Sequence, residues 1–491
     1  MCTTNLVLDF GGSSAHFAFA PQKVIRLVQR KGAVSCYKTG ALTDKLSNVM
    51  CGKLNVSQKH RLDMLIQEYP DVLTSKLGLI DLLEYEIQLV DNKPVRLAPY
   101  RLAPPKMQYL RRHINQLLED GVIEPSCSHY SSPMFLIPMQ GGEFRAVVDF
   151  RLLNKCIAIE SVPLPDIHSA FHWFLRAKYF TTLDLNQAYH QIPLAQASKV
   201  LTAFCTDWNL YQFKRIPFGL ATGAQVLTCL LDRVFGDVKF KFVYHYLDHL
   251  VVYSEDFDSH IKHLGIVLDR LRSASLTVKM EKVVFATQEI SFLGHLVSAA
   301  GVCIDPERTR AIREFPCPPD VKGISRFVGM ANFYHKFIPH FADVVAPLNA
   351  LRKKGVKFKW DTPQQDAFHM LKKLISQPPV LRMADFSKQF ILLTDASGVA
   401  LGAVLSQEIE GVRQPVAYAS RTLSHHERKA FSIYELECLA VLFGTKKFLK
   451  YLEHREFILE TDNRALSWLL SHPRQLGKIG HWIAKISGSA Y

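Results

Sequence analysis

Apolar residues recur at helical spacing in several stretches of this chain. Between Met107 and Asp120, Leu110, Ile114, Leu117 and Leu118 share one face, and Gly121 follows where a helix C-cap glycine is expected. Thr222 to Asp237 repeats the pattern with Val226, Leu227, Leu230, Leu231, Val234 and Phe235, and Gly236 stands near its end. A further helix opens at Thr362-Pro363, where proline sacrifices no hydrogen bond, buries Ala367, Phe368, Leu371 and Ile375, and stops at Pro378-Pro379. Strand-like runs lie between these helices. Met134 to Pro138 and Phe144 to Phe150 flank Gly141-Gly142 as a hairpin, and Tyr179 to Leu185 is a strand with Asp184 near its end. Phe242 to Ser254 reads as two aromatic and β-branched runs forming a tight hairpin, with Asp248-His249 at its tip. The alternation of strand, helix and hairpin predicts an α+β class.

Beyond Pro379 the pattern predicts a separate small βββαβα domain. Its strands are Gln389 to Ser397, Ala400 to Gln407 and Val412 to Ser420, followed by a long helix over Ser432 to Tyr451, a strand Glu456 to Thr461 and another helix. Residues 1–55 are short apolar runs broken by Gly, Ser and basic residues, and read as a linker or the remnant of a neighbouring domain. Leu6 to Ser14 places Asp9 near Gly and Ser but lacks Asp-Thr/Ser-Gly, so an aspartic protease is not indicated. The Pro-rich stretch Pro94 to Pro105 is an extended lead-in.

Charge narrows the class of partner. Lys and Arg number 59 against 45 Asp and Glu, a net +14, which favours a polyanion such as nucleic acid or an anionic membrane. No run approaches the apolar length of a membrane span, and no charged leader precedes the start, so a membrane or secreted protein is not expected. The ten cysteines form no CxxC pair and no zinc-spaced cluster, which suits a reducing, intracellular setting. His260 and His263 stand at i, i+3 without a third ligand nearby and are assigned to surface or packing roles.

Phosphoryl transfer on nucleic acid is commonly run by two Mg²⁺ ions roughly 3.5–4 Å apart, held by carboxylates brought together from different strands. A first candidate set pairs Asp184, in Phe180-Thr-Thr-Leu-Asp-Leu-Asn-Gln-Ala-Tyr189, with Asp248 of the aromatic hairpin Tyr246-Leu247-Asp248-His249. Tyr189 follows Asp184 by five residues and the block Pro217-Phe218-Gly219-Leu220 comes next. That order and spacing resembles the reverse transcriptase of gypsy-type LTR retrotransposons. Val148-Asp-Phe-Arg-Leu-Leu-Asn-Lys155 and Phe292-Leu-Gly-His295 are similar to other blocks of the family, and the likeness runs from about residue 56 to the end.

The resemblance implies a right-hand polymerase (fingers, palm and thumb) over 56–300, a connection region over 301–387 and a truncated ribonuclease H-like domain over 388–491. It implies that Asp184 and Asp248 hold the catalytic metals, Mg²⁺ with Mn²⁺ as an alternative. Tyr189 would stand under the sugar of the incoming nucleotide, Arg145 would hold its phosphates, and Phe218 and Gly219 would lie beside nucleotide and template. The partners implied are an RNA template, a DNA primer, dNTPs and an RNA/DNA hybrid; a homodimer is left open. This chain departs from the family at His249, which replaces the second hairpin Asp. It departs again at Met139-Gln140, where paired Lys is usual, and at Gly223-Ala224-Gln225-Val226-Leu227-Thr228 in place of Ala-Pro-x-x-Phe-Gln. Imidazole is a poor Mg²⁺ ligand, so polymerisation is expected to be weak or absent.

The second set is Asp395, Glu437 and Asp462, which resembles the metal-holding carboxylates of the same family's ribonuclease H domain. Glu435 competes with Glu437, but Glu-Cys-Leu-Ala-Val from Glu437 matches the family's block better. The family's fourth Asp lies beyond a further strand and helix, past Tyr491. Basic runs at Arg352-Lys353-Lys354, at Lys357 and Lys359 beside Trp360, and at Lys446, Lys447 and Lys450 are candidates for phosphate contacts or plain solvated faces. The rival to an enzyme is a non-catalytic nucleic-acid-binding remnant, or a domesticated retroelement protein.

Overall fold

The computed structural model describes residues 6–9, 14–17, 20–26, 50–91, 93–139, 144–158, 170–377 and 379–461, with side chains from Gly52 onward. The chain divides into two compact units, Met1–Pro165 with Lys178–Gln288, and Asp166–Ala177 with Glu289–Tyr491. Both mix helix and sheet.

In the first unit, one five-stranded sheet runs in the order Val243–Tyr246, His249–Ser254, Tyr179–Asp184, Val284–Thr287, Met50–Cys51. Its central strand Tyr179–Asp184 is covered on both sides in the ladder, and Phe180, Thr181 and Leu183 are buried. The helix Phe257–Ser273 packs on this sheet. Asp256 caps its start by accepting a hydrogen bond from the Ser259 amide, and Leu264, Val267, Leu268 and Leu271 form its buried stripe. The helix Gly223–Phe235 contributes Leu227, Leu230, Leu231 and Phe235 to the same core.

A second five-stranded sheet has the order Ile123–Pro125, Leu210–Phe213, Phe204–Cys205, Ser132–Pro138, Phe144–Val148. The helix Pro104–Glu119 buries Leu110, Ile114 and Leu117, with Leu118 half-buried, and Gly121 takes the left-handed conformation (φ 63°) that ends it. Gly236 does not act this way: its φ is −52°, so the helix before it ends without a left-handed glycine. Gly141-Gly142 and Gln140 lie outside the described residues. The segment expected to be a linker contains a three-stranded antiparallel sheet, Leu6–Asp9, Ser14–Phe17 and Ala20–Arg26.

The second unit opens with the antiparallel strands Glu289–Phe292, His295–Ser298 and Gly301–Ile304. Helices Pro306–Arg313, Val321–Phe333, Phe341–Leu351 and Thr362–Ser376 follow. The last starts as expected, with Pro363 in its first turn and Asp361 and Gln364 forming a reciprocal capping box. A four-stranded sheet then has the order Val412–Thr422, Ala400–Ile409, Phe390–Ala396, Phe457–Glu460, the last pair parallel.

The helix expected over Ser432 to Tyr451 is shorter. Ser432 is its cap rather than its first residue, the helix spans Ile433–Lys447, and Lys450 lies on a separate turn, Leu449–Leu452. A short helix, His425–Ala430, was not anticipated; Ser424 and Glu427 cap it reciprocally. At Gly444 the long helix comes so close to the sheet that an added Cβ would lie 3.1 Å from both Ala403 Cβ and Thr394 Cγ2. No described helix is long and apolar enough to cross a membrane.

Candidate functional site

The hairpin carries one correction to the sequence reading. Its tip is Leu247-Asp248, and His249 belongs to the returning strand, opposite Tyr246 on one side and Asp184 on the other. Alternation of apolar residues cannot fix register, and here the turn is closed one residue earlier by Leu247 in a left-handed conformation (φ 55°). A branched aliphatic residue in that region is strained, and such strain tends to gather at sites that need it. The Asp248 carbonyl accepts a hydrogen bond from the Leu185 amide at 3.1 Å, tying the tip to the end of the Asp184 strand.

Asp184, Asp248 and His249 therefore converge, each offering a ligand atom within 4.8 Å of the others. His249 Nδ1 pairs with Asp184 Oδ1, and His249 Nε2 lies 4.0 Å from Asp248 Oδ1. Lys282 Nζ donates to the other Asp184 oxygen at 2.8 Å. Burial pushes the Asp184 carboxyl up, but the bonds from His249 and Lys282 outweigh it and hold the group below the ordinary carboxylate range. The bond to Asp184 raises His249 above the usual imidazole value against the opposing effect of burial. Sequence reading missed Lys282, because nothing local marks a lysine whose partner is set by strand pairing.

Tyr189 lies in the turn Ala188–Gln191, its ring 5.3 Å from that of Phe218 and perpendicular to it. Burial, then the nearby Asp248 charge, raises its phenol. The next helix begins beside this ring: a Cβ added at Gly223 would stand in ordinary contact with it, at 3.4 Å. Phe218 is exposed, and Gly219 has a φ of 90°, a conformation that excludes most side chains. Asn154 clamps this loop, donating to the Gly219 carbonyl and accepting from the Ala221 amide, both at 2.9 Å. The block Val148 to Lys155 thus has a mechanical task as well: Asp149 pairs with Arg151 through two hydrogen bonds of 2.8 and 2.7 Å, and Arg151 holds its carboxyl down at about 2. Arg145 is exposed on the strand Phe144–Val148, opposite Ile137, in the other sheet of this unit.

In the second unit Asp395 is exposed near the end of its strand, opposite Gly402. Glu437 is 5% exposed on the long helix that packs on this sheet. Glu435 is engaged in the capping box, where an oxygen accepts from the Ser432 amide at 2.8 Å. Asp462 lies outside the described residues. The parallel register reaches Leu393 opposite Glu460, two residues before Asp395 on its strand.

His260 and His263 are packing residues. His260 is fully buried, its Nε2 2.7 Å from Thr181 Oγ1, and His263 stacks on Phe242 with ring centroids 4.1 Å apart. Of the basic runs, Lys359 pairs with Asp361 at 2.9 Å, whereas Lys353, Lys354 and Lys357 are exposed.

A carboxylate-bearing hairpin laid against a central Asp strand, followed by a helix-backed sheet with its own carboxylates, defines a reverse transcriptase joined to a ribonuclease H-like domain. Family models agree: one described as reverse transcriptase (RNA-dependent DNA polymerase) matches residues 137–297, and one described as an RNase H-like domain found in reverse transcriptase matches residues 385–489. The chain carries the reverse transcriptase and RNase H-like domains, and over most of its length it is similar to Pol polyproteins of gypsy and other LTR retrotransposons. It is 35% identical over 445 residues to the retrovirus-related Pol polyprotein from transposon opus of Drosophila melanogaster, covering 87% of this chain and 44% of the relative. To that from transposon gypsy of the same organism it is 34% identical over 415 residues, covering 81% and 40%. The chain thus spans less than half the length of these curated relatives. A solved foamy viral protease-reverse transcriptase in complex with double-stranded DNA shares the fold, with a TM-score of 0.81 at 20% identity, covering 94% of this chain and 82% of that one.

Proposed function

We propose that this chain acts on nucleic acid as an RNA-directed DNA polymerase with an attached ribonuclease H, and that its polymerase centre is impaired. The observation that carries the reading is the strand register that seats Asp248 at the hairpin tip beside Asp184, with His249 between them. In this reading Asp184 and Asp248 are metal ligands, Tyr189 supports the sugar of the incoming nucleotide, Phe218 and Gly219 border the nucleotide and template, and Arg145 steers phosphates. Two bound Mg²⁺ ions, or Mn²⁺ in their place, would activate the primer hydroxyl and stabilise the leaving phosphate.

The described residues fit such ions incompletely. Two carboxylates suit one hard cation, but the third ligand is an imidazole. Asp395, Glu437 and Asp462 are the proposed metal ligands of the nuclease, acting on the RNA of an RNA/DNA hybrid. Similar foamy viral enzymes have been solved with double-stranded DNA and with RNA/DNA hybrid, which supports these partners. The proposal includes a polymerase over 56–300, a connection over 301–387 and a nuclease over 388–491. It also includes an intracellular setting, in keeping with the free cysteines among the described residues. Primer extension on an RNA template with Mg²⁺ and with Mn²⁺ tests it. Weak synthesis that rises in His249→Asp supports the reading, and robust Mg²⁺-dependent synthesis by the unaltered chain removes the impairment.

One observation favours a second reading, a binder without chemistry: His249 and Lys282 together face both Asp184 oxygens, and the Lys282 ammonium supplies positive charge where a metal would. Salt-dependent primer-template binding with no turnover, even in His249→Asp, would favour it.

A further inference from the structure

We infer that Asp184, Asp248 and His249 form a mixed carboxylate-imidazole site that selects imidazole-binding transition ions, such as Zn²⁺ and Co²⁺, over Mg²⁺. The inference rests on the same hairpin that is read above as the polymerase centre, but requires only metal binding, not synthesis.

The donors are already gathered, one atom from each residue within 4.8 Å of the rest. Two ligands that each lie about 2.1 Å from one ion can be up to roughly 4.2 Å apart, so the 4.0 Å between His249 Nε2 and Asp248 Oδ1 can span one ion. The imidazole is also oriented. Its backbone is held by ladders on both sides, with Nδ1 facing Asp184 Oδ1 and Nε2 facing Asp248 Oδ1.

An ion can reach the site. The side chains of His249 and Asp248 are 52% and 42% exposed, and that of Lys282 is 59% exposed, so the lysine can swing off Asp184 into solvent. Mg²⁺ demands near-ideal octahedral oxygen ligation and gains little from imidazole, whereas the preference of nitrogen donors rises toward Co²⁺ and Zn²⁺. One residue, His249, thus changes which ion the hairpin takes.

The test is direct binding to the full chain without nucleic acid or nucleotide. Co²⁺ is titrated while its visible absorption bands are followed, then competed with Zn²⁺ and with Mg²⁺. The expected result is a Co²⁺ site displaced by equimolar Zn²⁺ and not by a hundredfold excess of Mg²⁺. In His249→Gln that site should weaken by about tenfold or more, and His249→Asp should shift the preference toward Mg²⁺ and Mn²⁺. Co²⁺ binding through other histidines or cysteines of the chain is removed by reading only the difference between parent and His249→Gln. Because His249 is exposed, both variants should fold; equal thermal melts check this. Co²⁺ binding unchanged by His249→Gln, or Mg²⁺ competing on equal terms with Zn²⁺ in the parent, overturns the inference. Co²⁺ bound through His249 in a chain that never extends a primer upholds the inference and fails the polymerase reading. Extension with Mg²⁺ alone and no Co²⁺ bound does the reverse.

Discussion

The two candidate carboxylate sets are built by different means. Around Asp184, three strands of one sheet set the candidate ligands by register, and His249 and Lys282 from the same unit hold the carboxyl below its ordinary range. Around Asp395 and Glu437, a strand end meets a helix, and their placement depends on how closely that helix lies on the sheet at Gly444. Register is a digital constraint: a shift by one residue turns a side chain to the other face. Helix-on-sheet packing is continuous, and tolerates small displacements at a graded cost. The first centre is therefore sensitive to which residue occupies a position, the second to the volume packed beneath it.

The largest expected effect is on the first centre. His249→Asp should raise Mg²⁺-dependent primer extension by about a thousandfold, the scale of several kcal/mol of transition-state stabilisation, and Asp184→Asn in that background should abolish it. Steady-state extension rates decide this. At the second centre Asp395→Asn should lower RNA cleavage in a labelled hybrid by about a hundredfold or more, with primer extension unaffected; cleavage that survives the change would assign it to another site.

Packing should separate the centres in the other direction. Gly444→Val pushes a branched side chain into Ala403 and Thr394 and should destabilise the second unit by about 2 kcal/mol in urea, without altering the first unit's transition.

Acid should act on the first unit through His260. Burial lowers its imidazole to about 3, so below its ordinary value of 6.5 the unfolded chain takes up a proton that the folded chain refuses. Its contribution is complete above pH 6.5 and lost as pH falls, by about 2 kcal/mol between pH 6.5 and 5. Urea midpoints over that range should flatten in His260→Asn. The smallest effect belongs to Asn154→Ala, which frees the Gly219 to Ala221 loop from both bonds and should cost about 1–2 kcal/mol, seen as faster amide exchange there.

What was legible in the sequence was what is locally encoded. The helix Thr362–Ser376 carries its own cap, periodicity and stop, so pattern alone recovers it. The order of strands around Asp184 and Asp248 was readable because each is a distinct apolar run. The tip of the hairpin was not, since the residue at which a chain turns depends on pairing with Tyr179–Asp184, far away in the sequence. Lys282 and the Asn154 clamp were invisible for the same reason. The family resemblance supplied Asp248 and Glu437 as candidates, but only the structure shows Glu435 occupied by its own helix cap.

The double ladder around His249 has a consequence for substitution at the site. Because hydrogen bonds on both flanks fix the backbone there whatever side chain it carries, the position is a socket that outlasts its contents. A carboxylate placed there would find its neighbours waiting in register, so exchanging the side chain at this position requires no rebuilding of the sheet.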